Sequence, residues 1–187
     1  MLLTRRAILR AAGGAAALAV GACGDGGSAG GASEQELRER DLRLLGSALD
    51  LENTVLAAYA AGAELLTGSA RESLALVVGQ ERRHTARLAE VIQARGGRTN
   101  PPKTPEEYAR SFPRLDSGRD ALRFAVDLEN ASIRLYLEAL PFLSQPGLRQ
   151  TVAAIATSEA EHAALLRGEL GRPPVPDAFV TGRSQKG

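Results

Sequence analysis

Asp50-Leu51-Glu52-Asn53 returns as Asp127-Leu128-Glu129-Asn130, and the repetition runs on beyond the tetrapeptide. Tyr59 stands as far after Glu52 as Tyr136 stands after Glu129. Glu81-Arg82-Arg83-His84 is answered by Glu159-Ala160-Glu161-His162. The interval from Glu52 to Glu81 is 29 residues, and that from Glu129 to Glu159 is 30. Such a chain reads as two copies of one unit, each with acids placed inside apolar, helix-like stretches. A carboxylate on a buried helix face is costly unless its charge is compensated. The repeat therefore constrains the fold and the contents of its core together.

The periodicity predicts four long helices. Ser33 followed by Glu36 is a capping box, and no proline interrupts the run from there to about Thr67. Leu45, Leu49, Leu56, Tyr59, Ala63 and Leu66 mark its buried stripe, with Glu52 in the middle. Gly68-Ser69 breaks the run. A second helix is expected from about Ala70 to Arg95, with Leu74, Val77, Glu81, His84, Leu88 and Val91 inward and Gly96-Gly97 as its stop. Residues 98–117 carry Pro101, Pro102, Pro105 and Pro113, which makes them a long connection with a short helical turn near Pro105 to Arg110. The third helix runs from Gly118 to Leu140, with Leu122, Val126, Glu129, Ile133, Tyr136 and Leu140 inward. The fourth runs from about Pro146 to Leu170, with Val152, Ile155, Glu159, His162 and Leu166 inward. The expected fold is all-α. Two duplicated helical hairpins form a four-helix bundle, and a long crossover lets helices two and three lie parallel.

The chain has two histidines, His84 and His162, and each follows a glutamate by three residues. Positions i and i+3 share a helix face, so each Glu-x-x-His offers an oxygen and a nitrogen side by side. Glu52 and Glu129 add one inward carboxylate each. Counted from the turns, the members of each pair differ in depth by about one helical turn or less. Four carboxylates and two neutral imidazoles balance two divalent cations in charge, and hard oxygen donors with one nitrogen per metal suit iron or manganese better than copper. A single Glu-x-x-His is commonly a solvated pair; two of them, with two further inward glutamates in register, are a metal site.

Over residues 33–170 this pattern resembles the ferritin-like di-iron carboxylate superfamily. The resemblance implies that Glu81 and Glu159 bridge two metal ions, with iron first and manganese as the alternative. Glu52 and His84 would then complete one metal, and Glu129 and His162 the other. It also implies reaction with dioxygen or peroxide, as an oxidoreductase of the ferroxidase or peroxidase type. No Cys-rich electron-transfer module follows the bundle, and the one methionine, Met1, cannot serve as a haem ligand of the bacterioferritin kind. A homodimer is compatible with such a bundle. A non-enzymatic binding or stress-protection module of the cell envelope is the other function class. Asp50 and Asp127 either accept a hydrogen bond from a ligand histidine or pair with surface arginines. Tyr59 and Tyr136, two turns from Glu52 and Glu129, either pack in the core or take a redox or hydrogen-bonding role at the site.

The N-terminus reads as an address. Thr4-Arg5-Arg6-Ala7-Ile8-Leu9-Arg10 resembles a twin-arginine export signal, with Ile8 at the usual aromatic position and Arg10 at the usual lysine. Val20-Gly21-Ala22-Cys23 looks like a lipobox, which implies cleavage before Cys23 and lipid attachment to it. A plain secretory signal or an uncleaved anchor are the other readings. Residues 1–22 are thus the signal, 23–32 a flexible Gly/Ser/Ala tether, 33–171 the bundle and 172–187 a tail. The protein is expected on the outer face of the cytoplasmic membrane. With one cysteine, no intramolecular disulfide forms. A net charge of +1 and 4% aromatics give no basic, aromatic face for nucleic acid.

Overall fold

A computed structural model describes residues 31–183. The signal, the lipobox and most of the tether lie outside them. Among the described residues all regular structure is helical: α1 (Glu34–Ala63), α2 (Gly68–Ala94), the short α3 (Pro105–Ala109), α4 (Gly118–Ala139), a 3-10 turn (Leu140–Phe142) and α5 (Pro146–Glu169). None is long and apolar enough to cross a membrane.

Local chemistry sets the boundaries. Ser33 and Glu36 close the capping box that starts α1, and Thr104 with Glu107 builds a second one that starts α3 inside the crossover. Ser117 caps α4 by accepting from the Asp120 amide. Two helix ends fall off their expected places. The first helix stops at Ala63 rather than near Thr67, and the second begins at Gly68 rather than Ala70. Gly68, at φ +57°, takes the left-handed conformation that turns the hairpin. The stripe of α1 also shifts. Val55 is fully buried, whereas Leu56 and Ala63 are half-buried. The face opposite α4 follows Glu52, Val55, Tyr59 and Gly62, three or four residues at a time. At Gly62 an added Cβ would come within 3.1 Å of the Ala121 Cβ, so glycine lets α1 and α4 close up.

The four long helices share a core of two apolar clusters. One gathers Val55, Tyr59 and Leu66 of α1 and its following turn with Leu74, Val77, Leu122, Val126 and Leu166. The other gathers Leu45, Leu49, Leu88, Ile92, Tyr136, Val152 and Ile155. Between them, on every long helix, stands one fully buried glutamate: Glu52, Glu81, Glu129 or Glu159. Along the sequence, α1 and α5 pass from the second cluster to the first, and α2 and α4 pass the other way. Helices α2 and α4 are therefore parallel, as the long crossover allows. Helix α1 packs on α2 and α4, and α5 packs on the same two, so α1 and α5 lie diagonally.

Both ends of the bundle are tied by polar groups. At one end Asp41, buried in α1, accepts from the amide and hydroxyl of Ser144 at 2.8 and 2.6 Å and pairs with Arg95 at 2.7 Å. At the other, Ser69 and Ser73 of α2 donate to Glu169 of α5 at 2.9 and 2.8 Å. The C-terminal tail folds back along α4. Gly182, at φ +67°, sits so close that a Cβ there would lie 2.5 Å from the Asn130 carbonyl oxygen.

Candidate metal centre

The polar layer between the clusters brings all six expected side chains to one place. Each comes from mid-helix, where the backbone is least free to move. Glu52, Glu81, His84 and Glu159 each offer one donor atom, and these atoms lie within 4.8 Å of one another. Glu81, Glu129, Glu159 and His162 do the same. Glu81 and Glu159 belong to both groups. The rings of His84 and His162 stack across the α2–α5 contact at 5.7 Å between centroids.

The lone pairs converge without satisfying one another. Both oxygens of Glu81 and of Glu159, one oxygen each of Glu52 and Glu129, and Nδ1 of both histidines are buried with no properly aligned hydrogen bond. His84 Nδ1 nevertheless lies 2.9 Å from Glu159 and 3.4 Å from Glu81, and His162 Nδ1 lies 2.8 Å from Glu81. Buried acceptors aimed at each other are expensive in a protein interior; a shared cation is what such an arrangement accommodates. The donor set, oxygen-rich with one nitrogen per group, fits iron or manganese.

Without a cation, protons fill that role. Burial drives Glu52 and Glu129 well above the usual carboxylate range. Burial would raise Glu81 and Glu159 too. Close polar contacts, though poorly aligned, outweigh it and lower both: Glu52 and His162 come first for Glu81, and Glu129 and His162 for Glu159. Burial alone would lower the histidines, but the facing carboxylates raise His84 to about 9 and His162 to about 12.

Tyr59 donates to Glu129, and Tyr136 donates to Glu52. Burial pushes both hydroxyls up, so they remain donors. Of the two readings of these tyrosines, the hydrogen-bonding one describes the structure, and both rings also pack in the core. Asp50 and Asp127 are exposed. Two residues before Glu52 or Glu129 is a rotation of about 200° on a helix, which turns them to the outer face. The group that meets a histidine of the cluster is Gln80, whose Oε1 lies 2.7 Å from His162 Nε2. Gln80 and Ser158 each directly precede a shared glutamate, and that matching repeat position is the signal that would have found them.

A model of the ferritin-like domain family matches residues 40–172. The chain belongs to that family. Its fold is similar to that of a conserved hypothetical protein, Rv2844, from Mycobacterium tuberculosis (TM-score 0.66, 20% identity, 76% of this chain and 99% of that one). A dodecameric thioferritin, the bacterioferritin-related protein of Bacteroides fragilis, is similar at TM-score 0.62 and 20% identity over 72% and 86% of the two chains. A ferritin-like, diiron-carboxylate protein from Bacillus anthracis str. Ames is similar at TM-score 0.62 and 19% identity over 74% and 99%. At these identities the likeness speaks for the fold. No curated protein matches the sequence.

Proposed function

We propose that this ferritin-like bundle holds two metal ions, iron first and manganese as the alternative, and carries out ferrous oxidation or peroxide reduction outside the cytoplasmic membrane. The observation that carries the reading is the pair of four-donor groups that overlap in Glu81 and Glu159. Those two glutamates would be shared by both ions, with Glu52 and His84 holding one and Glu129 and His162 the other. The diiron-carboxylate relative from Bacillus anthracis supports iron.

Bound iron would supply the change of valence that dioxygen or peroxide chemistry needs. The chain's own groups do the rest. The apolar clusters above and below exclude water from the carboxylates. Tyr59 and Tyr136 each hold one oxygen of a terminal glutamate, so its other oxygen is directed to the centre. Two surface cavities of about 200 and 260 Å³ lie against α1, α2 and the crossover, and none of the six residues lines them.

The test is metal analysis of the purified protein, followed by stopped-flow absorbance after ferrous iron and oxygen, or peroxide. A protein that neither carries nor takes up metal refutes the reading. Metal without turnover leaves a non-enzymatic envelope module. The double variant Glu81→Ala, His162→Ala should stay folded and lose turnover. Membrane tethering is supported by the lipobox-like Val20–Cys23, and membrane fractionation of Cys23→Ala against the native chain tests it.

A further inference from the structure

The two histidines occupy matching places in the two hairpins, but their surroundings differ. His162 is enclosed, with 3% side-chain exposure, while His84 keeps 11%. Nε2 of His162 lies 2.7 Å from Gln80 Oε1 and 3.3 Å from Ser158 Oγ. The Ser158 hydroxyl itself donates to Gln80 Oε1 at 3.3 Å. An amide oxygen only accepts, so Nε2 of His162 carries a proton and donates it to Gln80. Nδ1 is thereby turned to the carboxylates, 2.8 Å from Glu81 and 3.7 Å from Glu129 and Glu159.

The repeat explains why His84 has no such brace. Gln80 precedes Glu81 on α2 as Ser158 precedes Glu159 on α5. The residue placed to brace His84 is therefore Ser158. A serine side chain is shorter than glutamine, and this hydroxyl is engaged with Gln80. Among the described residues, the polar contacts of His84 run through Nδ1, to Glu159 and Glu81.

We propose that Gln80 is a positioning residue. It fixes His162 as an Nδ1 ligand, and so makes the Glu129–His162 position the tighter of two metal positions and Glu52–His84 the exchangeable one. This inference rests on the di-metal reading above. A partner on the far nitrogen of a ligand histidine fixes tautomer and ring orientation, and its loss typically costs about 10–100-fold in metal affinity. His84 must settle its ring when the metal arrives; His162 is already settled.

With only two histidines in the chain, the test is direct. The full chain is loaded with zinc and its imidazole N–H groups are observed by nitrogen-15 NMR, while calorimetry follows zinc binding. The wild type should show one slowly exchanging Nε2–H and two separate binding steps. Gln80→Leu, which keeps the bulk and removes the acceptor, should lose that resonance and weaken the tighter step by about 10–100-fold. Gln80→Glu, which restores an acceptor at the same reach, should keep both. Two equal binding steps in the wild type would overturn the inference alone, as would a Gln80→Leu protein unchanged in resonance and affinity. If Gln80→Leu does not fold, the wild-type spectrum decides: two protected imidazole protons, or none, count against the inference. A wild type that binds no zinc removes the di-metal reading and this inference with it.

Discussion

Tyr59 on α1 donates to Glu129 on α4, and the partner repeat returns the bond from Tyr136 to Glu52. The exchange runs between hairpins, not within them. Each tyrosine therefore guards the carboxylate of the other half and pins α1 to α4 at mid-bundle. Tyr59→Phe leaves a buried carboxylate oxygen without its donor, at a cost of about 1–3 kcal/mol. Urea unfolding of the metal-free protein should show that loss, and Tyr136→Phe should match it.

Shared and unshared glutamates should separate by stoichiometry. Glu81 and Glu159 enter both donor groups, whereas Glu52 and Glu129 enter one each. Glu52→Gln should leave one metal ion per chain, and Glu81→Gln should leave less than one. Equilibrium dialysis with elemental analysis counts them, and equal losses from both variants would contradict the assignment of bridges.

Stability of the metal-free protein should fall as pH rises from about 6.5 to about 9. His84 is raised from 6.5 to about 9, so over that window the folded state binds more protons than the unfolded one. Its contribution is complete below 6.5 and is lost as pH passes 9. Glu81, lowered from 4.5, is ionised in both states throughout and adds no slope there. Thermal melts at the two pH values check the sign, and metal loading should flatten the difference.

Asp41→Ala should destabilise the bundle without touching the centre. The Asp41 side chain is wholly buried between Arg95 and Ser144. Breaking such a pair strands the remaining charge; the low end, about 3 kcal/mol, applies because Arg95 is partly solvated. Chemical denaturation measures it, with metal stoichiometry unchanged below the transition.

Gly182→Ala should release the tail. The added methyl would meet the Asn130 carbonyl and the Arg134 amide, both at 2.5 Å, in a conformation that alanine resists. Limited proteolysis should then cut beyond Arg172 sooner, with the helical circular dichroism preserved.

The cluster was legible because each of its six residues obeys the helical period and the same period recurs in the second half. Glu52 and Glu129 interrupt apolar stripes, and two such interruptions in register place both carboxylates at one depth of the bundle. Asp41 was not legible. It stands in the charged run Arg38–Arg43, where an acid looks solvated, and its partners lie 54 and 103 residues away. Leu56 failed for a related reason: period alone does not say which of two adjacent apolar residues faces the next helix. Gln80 was hidden because its role depends on the spacing of α2 and α5; its place directly before Glu81, matched by Ser158 before Glu159, is the one trace of that role in the sequence.

The two opposed helix directions have an electrical consequence. Each long helix packs on neighbours that run the other way, so their dipoles oppose one another at mid-bundle. The backbone offers the four carboxylates no net field, and their charge has to be answered on the spot. In the metal-free protein, burial keeps Glu52 and Glu129 protonated, and the facing carboxylates keep His84 and His162 protonated at neutral pH. Glu81 and Glu159 supply the two negative charges that balance the imidazolium pair. Two divalent ions would displace roughly four protons and leave the layer as neutral as before. In that sense the middle of the bundle would act as an ion exchanger, trading protons for metal at constant charge.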